Sequence, residues 1–370
     1  MIQIYFEGDN FFEQLKSDII NAQKYIFIEF YIFQLEAIGK EILNLLLEKN
    51  VNDKVEIKIL VDGIGTRDYL EVLMQSVKNT SIDVAVYKPF YYRMLFKSGY
   101  HRRNHRKLIL IDDQIMYTGG MNIKDVFSKK LFGNERWRDT MLRIQNKLDE
   151  EIRRIFFQAK LDFIGLWRIT QKGFYFFPKL IPIIHALKNN KKYLIFSSIN
   201  KKRRTLFRKF YYDFINKSKN FLYIATPYFV PPIKLIRLLK KKAIEGVDVR
   251  ILTAGNTDVW FARQAGRAVY STLLRSGIKI YEFHTRIFHA KQTLSENGLI
   301  VGSSNMDYRS FLHNMEIDIY LSNEKIISNT LCQWEKDLLE SHQIHLKDWK
   351  KRGLLEKITE KFAYALRYYL

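Results

Sequence analysis

The chain is written twice. Ala22–Tyr31 (AQKYIFIEFY) is echoed by Ser218–Tyr228 (SKNFLYIATPY), each a polar helix end running into an apolar strand that stops at a tyrosine. Val55–Leu60 (VEIKIL) is echoed by Val247–Leu252 (VDVRIL), and Ile82–Tyr87 (IDVAVY) by Ile278–Tyr281 (IKIY). The offset is 197 residues from Tyr31 to Tyr228, 192 from Leu60 to Leu252 and 196 from Ile82 to Ile278. A repeat of this length is a domain duplicated, not a solenoid. Each copy also carries helical patterns between its strands: Phe11–Gln23, Gly39–Glu48 and Leu70–Lys78, then Thr205–Lys217, Ile233–Glu245 and Val259–Ser276. Strands alternating with such helices predict an α/β fold of two lobes, each a mixed β-sheet flanked by helices, with the active site between them. The expected division is residues 1–148 for the first lobe, an aromatic and basic connecting segment over 149–204, and 205–370 for the second lobe with C-terminal helices.

The residues that can do chemistry recur at the same place in both copies. The first contains Asn104-His105-Arg106-Lys107, an apolar strand, Asp112, and then Gly119-Gly120-Met121-Asn122. The second contains Phe288-His289-Ala290-Lys291, Glu296, and then Gly302-Ser303-Ser304-Asn305. Side chains on a strand alternate, so His105 and Lys107 emerge on one face, as do His289 and Lys291. A histidine beside an ammonium, facing a turn of small residues with accessible backbone N–H groups, is suited to an anionic phosphate. Asn122 and Asn305 can add neutral donors. Two such halves face to face would set two imidazoles on opposite sides of one phosphorus, one to attack and one to protonate the leaving oxygen. Charge stabilisation would fall to the lysines and asparagines, so the expectation is no metal and no cofactor. The other six histidines read as surface or satisfied core residues.

These motifs, with Trp137-Arg138-Asp139, Thr226–Pro231 (TPYFVP) and Asn305–Ser310 (NMDYRS), resemble the phospholipase D superfamily and, within it, the bacterial cardiolipin synthase branch. The likeness runs from Tyr5 to about Leu321. It implies phosphatidyl transfer between two phosphatidylglycerol molecules with release of glycerol. His105 would be the nucleophile that forms a phosphohistidine, and His289 the general acid and later base. Lys107, Lys291, Asn122 and Asn305 match the phosphate-binding positions, and Asp139 and Glu316 the carboxylates that orient the imidazoles. Glu296 departs from the pattern, which has aspartate there, and its hairpin is one residue shorter. An acid five positions after the lysine points away from the face of His289 and Lys291, so Asp112 and Glu296 read as structural.

Sixty-one lysines and arginines against 39 acids leave a net charge of +22, a surface that seeks an anionic partner. Anionic phospholipid (phosphatidylglycerol, cardiolipin) at a membrane surface is the expected partner, and nucleic acid the less favoured one. A hydrolase or nuclease of the same superfamily, or a catalytically weak lipid-binding protein, are the competing functions. Arg203-Arg204 reads as a solvated face. No secretory signal opens the chain and no run of 18 to 20 apolar residues could span a bilayer, which predicts peripheral binding on the cytoplasmic face of a bacterial inner membrane. The single cysteine, Cys332, reads as a buried thiol in a reducing compartment and excludes cysteine-built zinc sites. The stretch from Tyr87 to Arg103 interleaves aromatics with cations and has no counterpart in the second copy. Tyr91, Met94, Leu95 and Phe96 are therefore candidate membrane contacts, with the Phe174–Pro182 region beside them.

Overall fold

The computed structural model describes residues 1–90, 101–146, 149–172 and 191–369. The first half builds a sheet from β1 (Ile2–Tyr5), β2 (Tyr25–Phe30), β3 (Glu56–Asp62), β4 (Asp83–Tyr87), β5 (Leu108–Ile111), β6 (Ile115–Gly119) and β7 (Met141–Gln145). Its order is β1-β7-β6-β5-β2-β3-β4. The second half uses β8 (Tyr193–Ser197), β9 (Phe221–Ala225), β10 (Asp248–Ala254), β11 (Lys279–Phe283), β12 (Gln292–Ser295), β13 (Gly298–Gly302), β14 (Ile317–Leu321) and β15 (Ser341–Ile344). Read from β8, its order is β8-β14-β13-β12-β9-β10-β11-β15, the first sheet repeated strand for strand with β15 added at the edge. β2, β3 and β4 run parallel, as do β9, β10 and β11, while the remaining neighbours are antiparallel. β8 arises within residues 149–204, so that stretch supplies an edge strand of the second sheet as well as a connection.

Period-2 alternation sorts each strand's side chains into two cores. Tyr25 and Phe27 of β2 join Tyr223 and Ala225 of β9 in one core between the sheets, together with Ile155, Phe156 and Phe163 of the helix Glu150–Lys172. Ile26, Ile28 and Phe30 face outward against Phe11, Leu15 and Ile42 of the first half's helices. Leu222 and Ile224 face Phe207, Tyr211 and Leu235 in the second. Both faces of each sheet are covered, which is why β2 and β9 read as nearly continuous apolar runs.

Three expectations are corrected. Arg203 and Arg204 are buried, because the helix Lys201–Lys217 turns its first turn inward, where Arg203 ion-pairs with buried Asp162 of Glu150–Lys172. Cys332 is exposed: Ile326, Thr330, Trp334 and Asp337 form the buried side of helix Glu324–Leu339, and position 332 lies on the other. The single helical pattern at Val259–Ser276 is two helices, Trp260–Arg267 and Tyr270–Leu274.

Candidate active site

His105 and Lys107 lie on the segment entering β5, and His289 and Lys291 on the one entering β12. Both imidazoles line one cleft of about 310 Å³, with Tyr31 and Tyr228 beyond the carboxyl ends of β2 and β9. Each histidine's segment is docked by backbone from the opposite half. His105 N–H donates to Met315 O at 3.0 Å and Met315 N–H to Arg103 O at 2.9 Å. His289 N–H donates to Arg138 O at 2.7 Å and Arg138 N–H to Ile287 O at 2.9 Å. The residue that follows each docking position is a carboxylate. Glu316 Oε2 is 3.1 Å from His105 Nδ1, and Asp139 Oδ2 is 2.6 Å from His289 Nδ1. A carboxylate at Nδ1 holds the proton there and leaves Nε2 for the cleft. His105 Nδ1 has a second neighbour, Ser303 O at 3.1 Å, and Tyr31 stands edge-on to the same ring at 5.1 Å.

The lysines sit behind the imidazoles and are not part of the cleft lining. Lys107 Nζ donates to His105 O at 2.8 Å; Lys291 Nζ lies 2.9 Å from His289 Nδ1 and 3.7 Å from Asp139 Oδ2. Burial, reinforced by the like charge of Lys291, pushes the Lys107 ammonium down to about 7. Burial likewise lowers Lys291 against the pull of Asp139. His105 is lowered by burial and Lys107, and His289, by burial and Lys291, to about 4. Burial alone would raise the two carboxylates. Lys291 and His289 outweigh it at Asp139, and His105 and Lys107 at Glu316, so both stay below the usual range. An anion placed between the imidazoles would stabilise every cationic form in this cluster.

The small residues after β6 and β13 exist because the carboxylates pass against them. A Cβ on Gly120 would stand 2.1 Å from Asp139 Oδ1. The equivalent Ser303 donates its hydroxyl to Glu316 Oε2, and Ser310 donates to Oε1 at 2.8 Å. Asn122 Oδ1 accepts from Ile32 N–H at 3.2 Å, which turns its amide nitrogen free for the cleft. Asn305 also lines the cleft, and its buried Oδ1 has no hydrogen-bond partner.

Asp112 and Glu296 lie away from the cleft. Asp112 accepts from the amides of Gln23, Lys24 and Tyr25 at 2.7, 2.8 and 2.9 Å. Glu296 accepts from those of Lys219, Asn220 and Phe221, the equivalent positions before β9. The hairpin pairs Ile111 with Ile115 in the first copy and Ser295 with Gly298 in the second, so the loop loses one residue. Glutamate's extra methylene spans the difference. Tyr91, Met94, Leu95 and Phe96, and the Phe174–Pro182 region, lie outside the described residues.

Asp258, which follows β10, lines the cleft but belongs to no motif of the sequence. Arg309 and Trp137 lie inside the motifs Asn305–Ser310 and Trp137-Arg138-Asp139 without having been assigned a role there; Trp137 packs 5.5 Å from His289, with the Lys124 ammonium 4.7 Å from its ring. Tyr31 and Tyr228 line the cleft without having been assigned to it, although a signal was there: they end the echoed strands, where ligands of parallel sheets gather. Arg138 is not in the cleft at all. It is fully buried in a two-pronged pair with Asp337, Nε to Oδ1 at 3.0 Å and Nη2 to Oδ2 at 2.8 Å, which ties the first half to helix Glu324–Leu339.

A family described as "Cardiolipin synthase, PLD-like domain" matches residues 15–158 and 211–338, one stretch in each half. The chain belongs to the cardiolipin synthase family. Membership makes it a phosphatidyltransferase of the phospholipase D superfamily, an enzyme of phospholipid biosynthesis. A cardiolipin synthase of Clostridium perfringens (strain 13 / Type A) is 32% identical over 374 residues, covering 98% of this chain and 75% of the relative. Cardiolipin synthase 1 of Bacillus cereus is 29% identical over 361 residues, covering 96% and 70%. The crystal structure of phosphatidylserine synthase from Haemophilus influenzae Rd KW20 shares the fold with a TM-score of 0.70 at 16% identity, over 100% of this chain and 95% of that one. No helix among the described residues is long and apolar enough to cross a membrane.

Proposed function

We propose that this chain makes cardiolipin from two molecules of phosphatidylglycerol through a phosphohistidine on His105. The supporting observation is the pair of imidazoles in one cleft, each held at Nδ1 by a carboxylate from the opposite half. His105 Nε2 attacks the phosphorus of the first lipid, the P–N bond forms, and the P–O bond to the glycerol headgroup breaks. The departing oxygen takes the proton from His289 Nε2, and glycerol leaves. His289 then takes the proton of a hydroxyl on the second phosphatidylglycerol, whose oxygen attacks phosphorus as the P–N bond breaks.

The assignment of roles follows the surroundings. His105 Nδ1 has two acceptors, Glu316 and the Ser303 carbonyl, an arrangement that favours a neutral ring with its Nε2 lone pair free. His289 has the closer carboxylate, which favours an imidazolium once the phosphodiester's negative charge offsets Lys291. Asn122 and Asn305 donate to the phosphoryl oxygens, while Lys107 and Lys291 act through a short, dry distance. The net charge of +22 supports a working place at an anionic membrane surface, on the cytoplasmic face.

The test is incubation with phosphatidylglycerol vesicles and mass spectrometry of the lipids, beside His105→Ala and His289→Ala. Cardiolipin and glycerol in equal amounts from the unaltered protein alone support the proposal. Phosphatidic acid without cardiolipin would make water the acceptor. Cleavage of DNA with no lipid product would make the protein a nuclease.

A further inference from the structure

The helix Leu354–Ala365 is built inside out. At 100° per residue, Leu354, Ile358, Phe362 and Leu355 fall within an arc of about 100°. That arc faces solvent: the four are 73%, 54%, 62% and 80% exposed. The side turned to the protein carries Ala363 and an acid, Glu360, buried in ion pairs with Arg267 Nε at 3.1 Å and with Arg352. A globular helix hides its apolar side and shows its charges; here the charge is hidden and the apolar side shown. Lys357 and Lys361 flank the exposed arc on one side, and Lys350 and Lys351 precede it.

The exposed face leads to the active site. Phe362 meets Phe261 at 6.4 Å and 83°, and Phe261 meets Trp260 at 6.4 Å. Trp260 is 56% exposed, and its neighbours Val259 and Ala262 line the cleft that holds both histidines. A chain of aromatic contacts therefore links the outer helix to the residues beside the cleft lining. Among the described residues nothing covers the exposed arc.

We infer that this helix and Trp260 form the face on which the protein sits on an anionic phospholipid bilayer. The inference rests on the reading of the substrates as membrane lipids. Three features choose a bilayer over another occupant: aliphatic and aromatic side chains of the size that enters the acyl boundary, lysines at their rim for headgroup phosphates, and contact with the residues beside the site a lipid must reach. Docked this way, Phe362, Phe261 and Trp260 form a line of aromatic contacts from the acyl region to the residues beside the cleft lining. The helix has no counterpart among the described residues of the first half, so the duplicated enzyme meets the bilayer with one side only.

The test is co-sedimentation of the full chain with vesicles of phosphatidylglycerol and of phosphatidylcholine, scored as binding without regard to turnover. The triple variant Leu355→Ser, Ile358→Ser, Phe362→Ser should bind phosphatidylglycerol vesicles at least tenfold more weakly, with an unfolding temperature no lower than that of the parent. Lys357→Gln with Lys361→Gln should reduce the preference for the anionic vesicle. The blue shift of tryptophan fluorescence on vesicle binding should shrink in Trp260→Phe. Unchanged vesicle binding by the triple variant would overturn the inference. A parent protein that is dimeric and becomes monomeric in the triple variant, with vesicle binding intact, would assign the face to a second copy instead. Binding that follows the prediction without any cardiolipin formed would leave this inference standing and remove the proposed reaction.

Discussion

Asp139 belongs to the first half of the chain and lies 2.6 Å from Nδ1 of His289, which belongs to the second. Glu316 and His105 repeat the exchange in the opposite direction at 3.1 Å. The two pairs are not equivalent in detail. Asp139 is the lone carboxylate on its imidazole, whereas His105 also has the carbonyl of Ser303. Asp139→Asn should therefore lower kcat by roughly 10²–10⁴, as loss of the orienting carboxylate does in hydrolytic triads. Glu316→Gln should cost less, because a second acceptor still fixes the Nδ1 proton. Steady-state kinetics of the two variants check this; an equal or reversed order would show that the Ser303 carbonyl does not contribute.

Lys107, held at about 7, gives the site a charge that titrates near neutrality. As pH rises through 7 the free enzyme loses that ammonium, and binding an anionic phosphodiester then requires a proton to be taken up. KM should climb by up to roughly tenfold per pH unit above 7 until the complex itself deprotonates. The same depression makes the unfolded chain bind more protons than the folded one between about 7 and its ordinary value near 10.4, so this group's contribution to stability rises with pH over that window. Lys107→Met should bind more weakly and flatten the KM profile. A slope that persists in the variant would place the titration elsewhere.

Glu296→Asp separates the acid's identity from its reach. Aspartate on the two-residue loop cannot extend to the amides of Lys219, Asn220 and Phe221, and the loss of those bonds should lower stability by about 1 kcal/mol. Turnover per folded molecule should stay near the parental value. Denaturant unfolding beside kcat decides it: a large fall in kcat without a fall in stability would give Glu296 a direct part in the reaction.

Arg138 and Asp337 are both fully buried, so removing one partner strands a charge. Arg138→Ala should destabilise by about 3–5 kcal/mol. The double replacement Arg138→Met with Asp337→Leu should recover much of that loss, and urea denaturation of the three proteins measures it. Similar stability in the single and double variants would mean that the pair is solvated through relaxation.

The parts that repeat were the parts that could be read. Strand alternation and the echoed His-x-Lys motifs placed His105 and His289 on corresponding segments, because those features are local. Partners across the sheets were harder. β8 pairs with β14, Ser197 opposite Ile317, a contact separated by the whole second half, and no pattern inside Tyr193–Ser197 announces it. Arg203 and Arg204 resemble a surface run until Asp162 is placed beneath them. Asp258 and Arg309 come from unrepeated connections, so duplication offers no second witness for them. The inverted helix Leu354–Ala365 has an ordinary amphipathic period. Only packing reveals which of its sides faces water.

The backbone pairing that delivers each carboxylate also closes the joint between the halves. Arg103, Met315, Arg138 and Ile287 are stitched across the joint next to the reacting groups, and the Arg138–Asp337 bolt lies immediately behind. Opening the halves like a hinged clamshell would part each carboxylate from its imidazole and so dismantle both orienting pairs together. With the halves joined there, any lipid that reaches the imidazoles has to pass the open mouth of the cleft.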